Sequence, residues 1–313
     1  MTENKSPFED LKFVAAKNKG FKFESENKST EYSFRKATKE EQDIIKAQVF
    51  QYSQLESDSK HAVLRYNEGK PVKNKTKIIL FAGAIGSGKN YQLNKKIMEL
   101  KETGNSILML SFADPIKQIV KDLFGFDKNG KKTDNRVLSA PNYNDIVDAV
   151  LRLLARYDVP MLRNLEPMTI TIFEKYVSDI RVSTADRDKI KSALRGIMQI
   201  IGTEIGQTIK KEMWPMIAVN TIKTVLAAHR VDYVFIDDLR FLFEYLCVYR
   251  EFQHDCDVEP FFVIADEFVR AKRRGITLEE LKEQSKHLSE RESMEVLLPF
   301  MQLYFPDNII ENN

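Results

Sequence analysis

Five short runs along the chain are apolar nearly throughout: "KIILFAG" (77–83), "SILMLSFA" (106–113), "DYVFIDDLR" (232–240), "PFFVIADE" (260–267) and the short "DNIIEN" (307–312). Stretches of helical spacing separate them. Leu93, Ile97 and Leu100 share one face after the first run, and Ile190, Leu194, Ile197 and Ile201 do the same in "DRDKIKSALRGIMQIIGTE". Apolar strands alternating with amphipathic helices predict an α/β fold with a mostly parallel sheet covered on both faces. Ligands of such sheets sit at the carboxyl ends of the strands, so the residues that follow each run are the ones to read for chemistry. Upstream, the composition shifts at "YNEGKPVKNKTK", which marks a boundary between an N-terminal extension (1–75) and the main domain (76–313). One helix is expected in the extension, starting after Thr38, with Glu41 completing a capping box.

The first run ends in Gly83-Ala84-Ile85-Gly86-Ser87-Gly88-Lys89-Asn90, a GxxxxGK pattern between a strand and a helix. Glycines allow consecutive backbone N–H groups to turn inward around a phosphate, the helix amino end adds positive potential, and Lys89 reaches the β- and γ-phosphate oxygens. Gly83, Gly86, Ser87, Gly88 and Lys89 are therefore the expected ATP-binding residues. Asn90 occupies the position that normally carries a hydroxyl ligand to Mg2+. Either its amide oxygen serves the metal, directly or through water, or the metal is held by phosphates and a distant carboxylate. Asp237 and Asp238, at the end of "YVFIDD", are that carboxylate's candidates, and Arg240 just beyond offers a bidentate fork for a phosphate.

Further cations lie elsewhere. Arg195, Gln199 and Gly202 fall on a second face of their helix, read either as a ligand-facing surface or as a solvated flank. Trp214, before Pro215 at a helix start, is either core or a stacking platform for a base. Arg270, Arg273 and Arg274 precede a polar helix expected over 279–290, capped by Thr277 and Glu280. Together they read as a closing lid (269–293) whose cations engage phosphates, or as a plain charged surface.

Charge and composition narrow the partners. A formal net charge of +2 with 30% charged residues gives no global field for duplex nucleic acid or an anionic membrane. No run reaches the roughly 18 apolar residues of a membrane helix, so the expectation is a cytoplasmic protein. Cys247 and Cys256 fit no zinc spacing and are expected to be free and buried.

The ordered set "GAIGSGKN", "SFADPIKQIV", "LRGIMQIIGTE…MWPMIAVN", "DDLRFLFEYL", "HLSE" and "DNIIEN" resembles the bacteriophage deoxynucleoside monophosphate kinases over 77–313. The resemblance implies an adenylate-kinase-like P-loop NTPase fold with a mainly helical monophosphate-binding region (127–230). It further implies transfer of the γ-phosphoryl group of ATP to a deoxynucleoside monophosphate, with Mg2+. By position it places Asp114 and Lys117 beside the monophosphate and Arg195, Gln199, Thr203 and Trp214 on the substrate-side helix. Arg240 and Glu244 match the family's "RF…E" signature, and His287, Ser289 and Glu290 its "HxSE". Tyr91 departs from the family pattern, in which a hydroxyl follows position 90. The extension has no counterpart there and is read as a partner-binding arm or an oligomerisation element. Two other readings remain open: a P-loop kinase for another small acceptor, which needs a general base, and a nucleotide-binding interaction protein without transfer.

Overall fold

The structure is a computed structural model and describes residues 75–127, 129–133, 186–206 and 210–313, with scattered positions at 38–46 and 145–152. Most of the extension, including Glu41, lies outside the described residues. Near its described end, the residues described between 39 and 46 are helical, Gln42 N donates to Thr38 O and Ile45 is buried.

All five apolar runs form strands. They are β1 (Lys77–Gly83), β2 (Ile107–Leu110), β3 (Tyr233–Leu239), β4 (Asp257–Ile264) and β5 (Ile309–Glu311), in the order β2-β3-β1-β4-β5. Every pairing is parallel. β1 lies at the centre between β3 and β4, so connections leave it in opposite directions and the carboxyl ends of these three strands face one crevice. The central strands are buried along nearly their whole length, as their unbroken apolar runs require. β2 departs from this: Met109 is 41% exposed, because an edge strand pairs on one side only.

Helix α1 (Lys89–Glu102) lays Leu93, Ile97 and Leu100 on the sheet against Ile79, Phe81, Phe235, Phe261 and Val263. The Phe81 and Phe261 rings stack at 5.6 Å. Each such side chain, fully buried, contributes on the order of 2 kcal/mol, so the platform carrying the first loop is stiff. One irregularity interrupts the sheet. Leu80 pairs with Ile236 but Ala82 with Leu239, so Asp237 and Asp238 together oppose the single residue Phe81. Such a bulge re-aims side chains and frees backbone groups from the ladder.

The chain divides into two compact units, 1–110 with 222–313 and, separately, 111–221. The first continues through α5 (Leu242–Phe252), α6 (Glu267–Arg274), α7 (Leu278–Ser285), α8 (Leu288–Glu292) and α9 (Leu298–Tyr304). I.e. the polar helix expected over 279–290 is two helices: His287 takes an extended conformation and its Nδ1 accepts the Ser289 N–H, starting α8 afresh. The Thr277–Glu280 capping box is formed as expected.

The second unit contains α2 (Asp114–Phe124) and α3 (Arg187–Gln199), and a π-helical turn (Ile200–Ile205) prolongs α3. Ile190, Leu194, Ile197 and Ile201 are buried, as their spacing predicts. Helix α4 (Met213–Ala228) follows. Both cysteines are free and buried, and burial pushes the Cys256 thiol up to about 12.

Candidate functional site

The glycine loop follows β1 directly and hands the chain to α1. Gly86 has a φ of 81°, and a Cβ there would lie 3.0 Å from the Arg270 carbonyl oxygen. Gly88, with a φ of 83°, is the N-cap of α1, and a Cβ would collide with the Asn312 side chain. Only glycine meets both the backbone and the space requirement at these two positions.

Lys89 donates its ammonium to the carbonyl of Asp237, which sits in the bulge. Burial pushes this ammonium below its ordinary value; the carboxylate of Asp238 opposes the shift, Arg240 adds to it, and Asp237 and Glu290 oppose it. The expected loop lysine, aspartate pair and arginine thus meet at the ends of β1 and β3. Arg240 is fixed from both ends. Its backbone N–H donates to Glu244 Oε2 at 2.8 Å, and Phe241 N–H donates to the same oxygen at 3.1 Å. Its Nη1 donates to Ser289 Oγ at 2.8 Å and Glu290 Oε1 at 3.1 Å. Glu244 Oε2 therefore orients the backbone around the arginine, and burial pushes the Glu244 pKa up to about 8.

Arg270 and Arg273 stand otherwise than as the cations of an open lid. Arg270 is 6% exposed and its Nη1 lies 3.4 Å from the Ile85 carbonyl oxygen. Arg273 Nη1 donates to Ser87 O at 3.2 Å and Asn312 O at 2.8 Å. Both brace the loop's carbonyls. Helix α6 leaves β4 within reach of the loop, and two arginines three apart lie on its same side. Arg274, one position on, donates to Gln284 Oε1 on α7 at 3.0 Å.

Two contributors went unassigned from sequence. Asn312 donates Nδ2 to Ser87 O at 2.7 Å and accepts from Gln92 Nε2 at 3.1 Å, while Glu290 Oε2 accepts the Ile85 N–H at 3.0 Å. The only signals for them were the polar residue closing "DNIIEN" and the "HLSE" match. Two buried polar atoms at the loop have no hydrogen-bond partner among the described residues: Ser87 Oγ and Arg270 Nε.

Asn90 is exposed on the first turn of α1. Among the described residues no three His, Cys, Asp or Glu side chains gather to hold a metal. Asp237 and Asp238 are hard oxygen donors suited to Mg2+, but two carboxylates fill only part of an octahedral shell. They fit a metal that phosphate oxygens and water complete.

The remaining expected residues belong to the second unit. Asp114 Oδ2 accepts the Ser111 N–H at 2.9 Å, and Lys117 Nζ bridges Asp114 Oδ1 at 2.7 Å and Ser111 Oγ at 3.0 Å. Arg195 is exposed; Gln199 and Thr203 are half-buried, Thr203 within the π turn. Trp214 is 6% exposed and its Nε1 donates to Gly202 O at 2.8 Å, so of its two readings the packing one accounts for the ring here.

No family model and no curated protein matches the chain. The crystal structure of TT1252 from Thermus thermophilus is similar at 14% identity and a TM-score of 0.29, covering 74% of this chain and 99% of that one. So distant a likeness carries no functional argument, and the fold rests on the strand order and the all-parallel pairing. No helix among the described residues is long and apolar enough to cross a membrane.

Proposed function

We propose that the chain is a P-loop kinase that moves the γ-phosphoryl group of ATP to a deoxynucleoside monophosphate. The observation that carries this reading is the convergence of the glycine loop, Lys89, the Asp237–Asp238 bulge and Arg240 at the carboxyl ends of adjacent parallel strands. The orphaned Ser87 Oγ and Arg270 Nε support an anionic ligand at the loop.

The chemistry asks little covalent work of the protein. An oxygen of the acceptor monophosphate attacks the γ-phosphorus, the bond from that phosphorus to the β–γ bridging oxygen breaks, and ADP departs with the electron pair. The acceptor is largely dianionic at neutral pH, so no general base is needed, and catalysis is positioning with charge neutralisation. Asp237 and Asp238 would help to hold Mg2+, which when bound would supply charge neutralisation for the transferring group. Loop N–H groups cradle the donor phosphates, Lys89 meets the β- and γ-oxygens, and the half-exposed Arg240 fork faces the transferring group. Asp114, Lys117, Arg195, Gln199 and Thr203 are the proposed acceptor-side residues.

A coupled ADP-release assay over the four deoxynucleoside and four ribonucleoside monophosphates with magnesium-ATP tests the reading. Turnover on at least one deoxynucleoside monophosphate is expected. ATP binding with no turnover on any acceptor overturns it in favour of a nucleotide-binding interaction protein.

A further inference from the structure

Glu290 is 6% exposed, and its two oxygens serve two different parts of the site. Oε2 accepts the Ile85 N–H of the glycine loop at 3.0 Å, and Oε1 accepts Arg240 Nη1 at 3.1 Å. Helix α8 seats it, since Glu290 N donates to His287 O at 2.9 Å, and the neighbouring Ser289 Oγ shares Arg240 Nη1 at 2.8 Å. Both contacts use the same guanidinium nitrogen. The Arg240 side chain stays 44% exposed, so its remaining N–H groups are left to face an anion. An arginine gripped by one nitrogen and open along its other edge is oriented by its anchor.

We propose that Glu290 is a positioning residue that sets the spacing between the glycine loop and the Arg240 fork, ordering phosphate cradle and arginine as one body. Only its catalytic consequence rests on the kinase reading; the bridge itself concerns anion binding. A simple buried ion pair would need one carboxylate oxygen and one cation. Here the second oxygen goes to a backbone N–H of the loop, 205 residues away in sequence. The chemistry of the two donors makes the bridge sensitive to a near-isosteric change. A glutamine offers one oxygen and one NH2, and in either orientation the NH2 faces a donor, so one arm breaks whichever way the amide turns. An aspartate keeps both acceptors but is shorter by one methylene and spans only one arm.

Calorimetric titration of ATP into wild type, Glu290→Gln, Arg240→Ala and the double variant tests the bridge, with melting temperatures recorded for each. The expected result is about a tenfold weaker affinity in Glu290→Gln, an equal or larger loss in Arg240→Ala, and a double variant within about twofold of the weaker single variant, because both changes release the same bridge. Glu290→Asp is expected to lie between wild type and Glu290→Gln, and replaces it in the cycle should the glutamine variant not fold. Losses that multiply independently overturn the proposal, as does a lowered melting temperature with unchanged ATP affinity. Transfer to a deoxynucleoside monophosphate is measured separately on the wild type. Absent transfer with a non-additive binding cycle removes the kinase reading and leaves the bridge; an additive cycle removes the bridge whatever the transfer rate.

Discussion

Two stretches of this chain bind side chains to their backbone groups, and they do so by opposite means. At the glycine loop, the Ile85 N–H goes to Glu290, and the carbonyls of Ile85 and Ser87 go to Arg270, Arg273 and Asn312. At the π turn of the second unit, the Gly202 carbonyl goes to the indole N–H of buried Trp214. A neutral ring closes the π turn as packing does: it covers apolar surface and supplies one donor. Charged anchors are costly to bury without partners, and two of the loop's anchors, Arg270 and Glu290, are each 6% exposed, while Arg273 reaches the loop from an exposed position; charged side chains and an amide thus fix the geometry of one short loop. On the proposed kinase reading, such anchoring would preorganise the loop as a phosphate cradle, which transition-state stabilisation requires.

The sharpest way to break the comparison is Lys89→Ala. If the loop is the working site, the substitution removes the cation that meets the transferring phosphate, and transfer is expected to fall by about 10²–10³. The melting temperature should change little, since one hydrogen bond to Asp237 is lost. Stopped-time assays of ADP production beside thermal denaturation check both halves; retained turnover removes the phosphate-loop assignment. Trp214→Phe is the matching change in the π turn and should do the reverse. It keeps a ring but removes the indole donor to the Gly202 carbonyl, at a cost of about 1 kcal/mol in stability. Denaturant unfolding measures this, and ATP affinity at the loop is expected to stay within twofold of wild type.

How much of this was legible in the sequence follows from which forces act locally. The five strands were readable because burial writes an apolar run directly into the chain, and the glycine loop because a positive φ at Gly86 and Gly88 leaves a mark on residue type. The exposure of β2 was not, since being an edge depends on the order of strands and not on any one of them. Arg270 and Glu290 were invisible as anchors for a related reason. A charged residue in sequence reads as solvent-facing, and only the folded chain shows that each is 6% exposed against a loop about 200 positions away. The continuous helix expected over 279–290 failed at His287, whose ring caps α8 through a contact that helical periodicity does not encode.

Asn90 gives the smallest expected effect and the finest test of the loop. Its side chain is exposed at the start of α1, while Asp237 and Asp238 sit beside Lys89 in the bulge of β3. Mg2+ keeps several waters and takes few protein ligands, so an amide oxygen at position 90 serves the metal through water as readily as by direct contact. Asn90→Leu keeps similar bulk and removes the amide, and a several-fold rise in the magnesium concentration needed for half-maximal transfer is expected, with metal-free ATP binding retained. Asn90→Thr places a hydroxyl there and should leave transfer at or near the wild-type rate. Magnesium titrations of the transfer rate in the three proteins decide the matter. Identical curves would take Asn90 out of the metal's surroundings and leave the two aspartates of the bulge as its protein ligands.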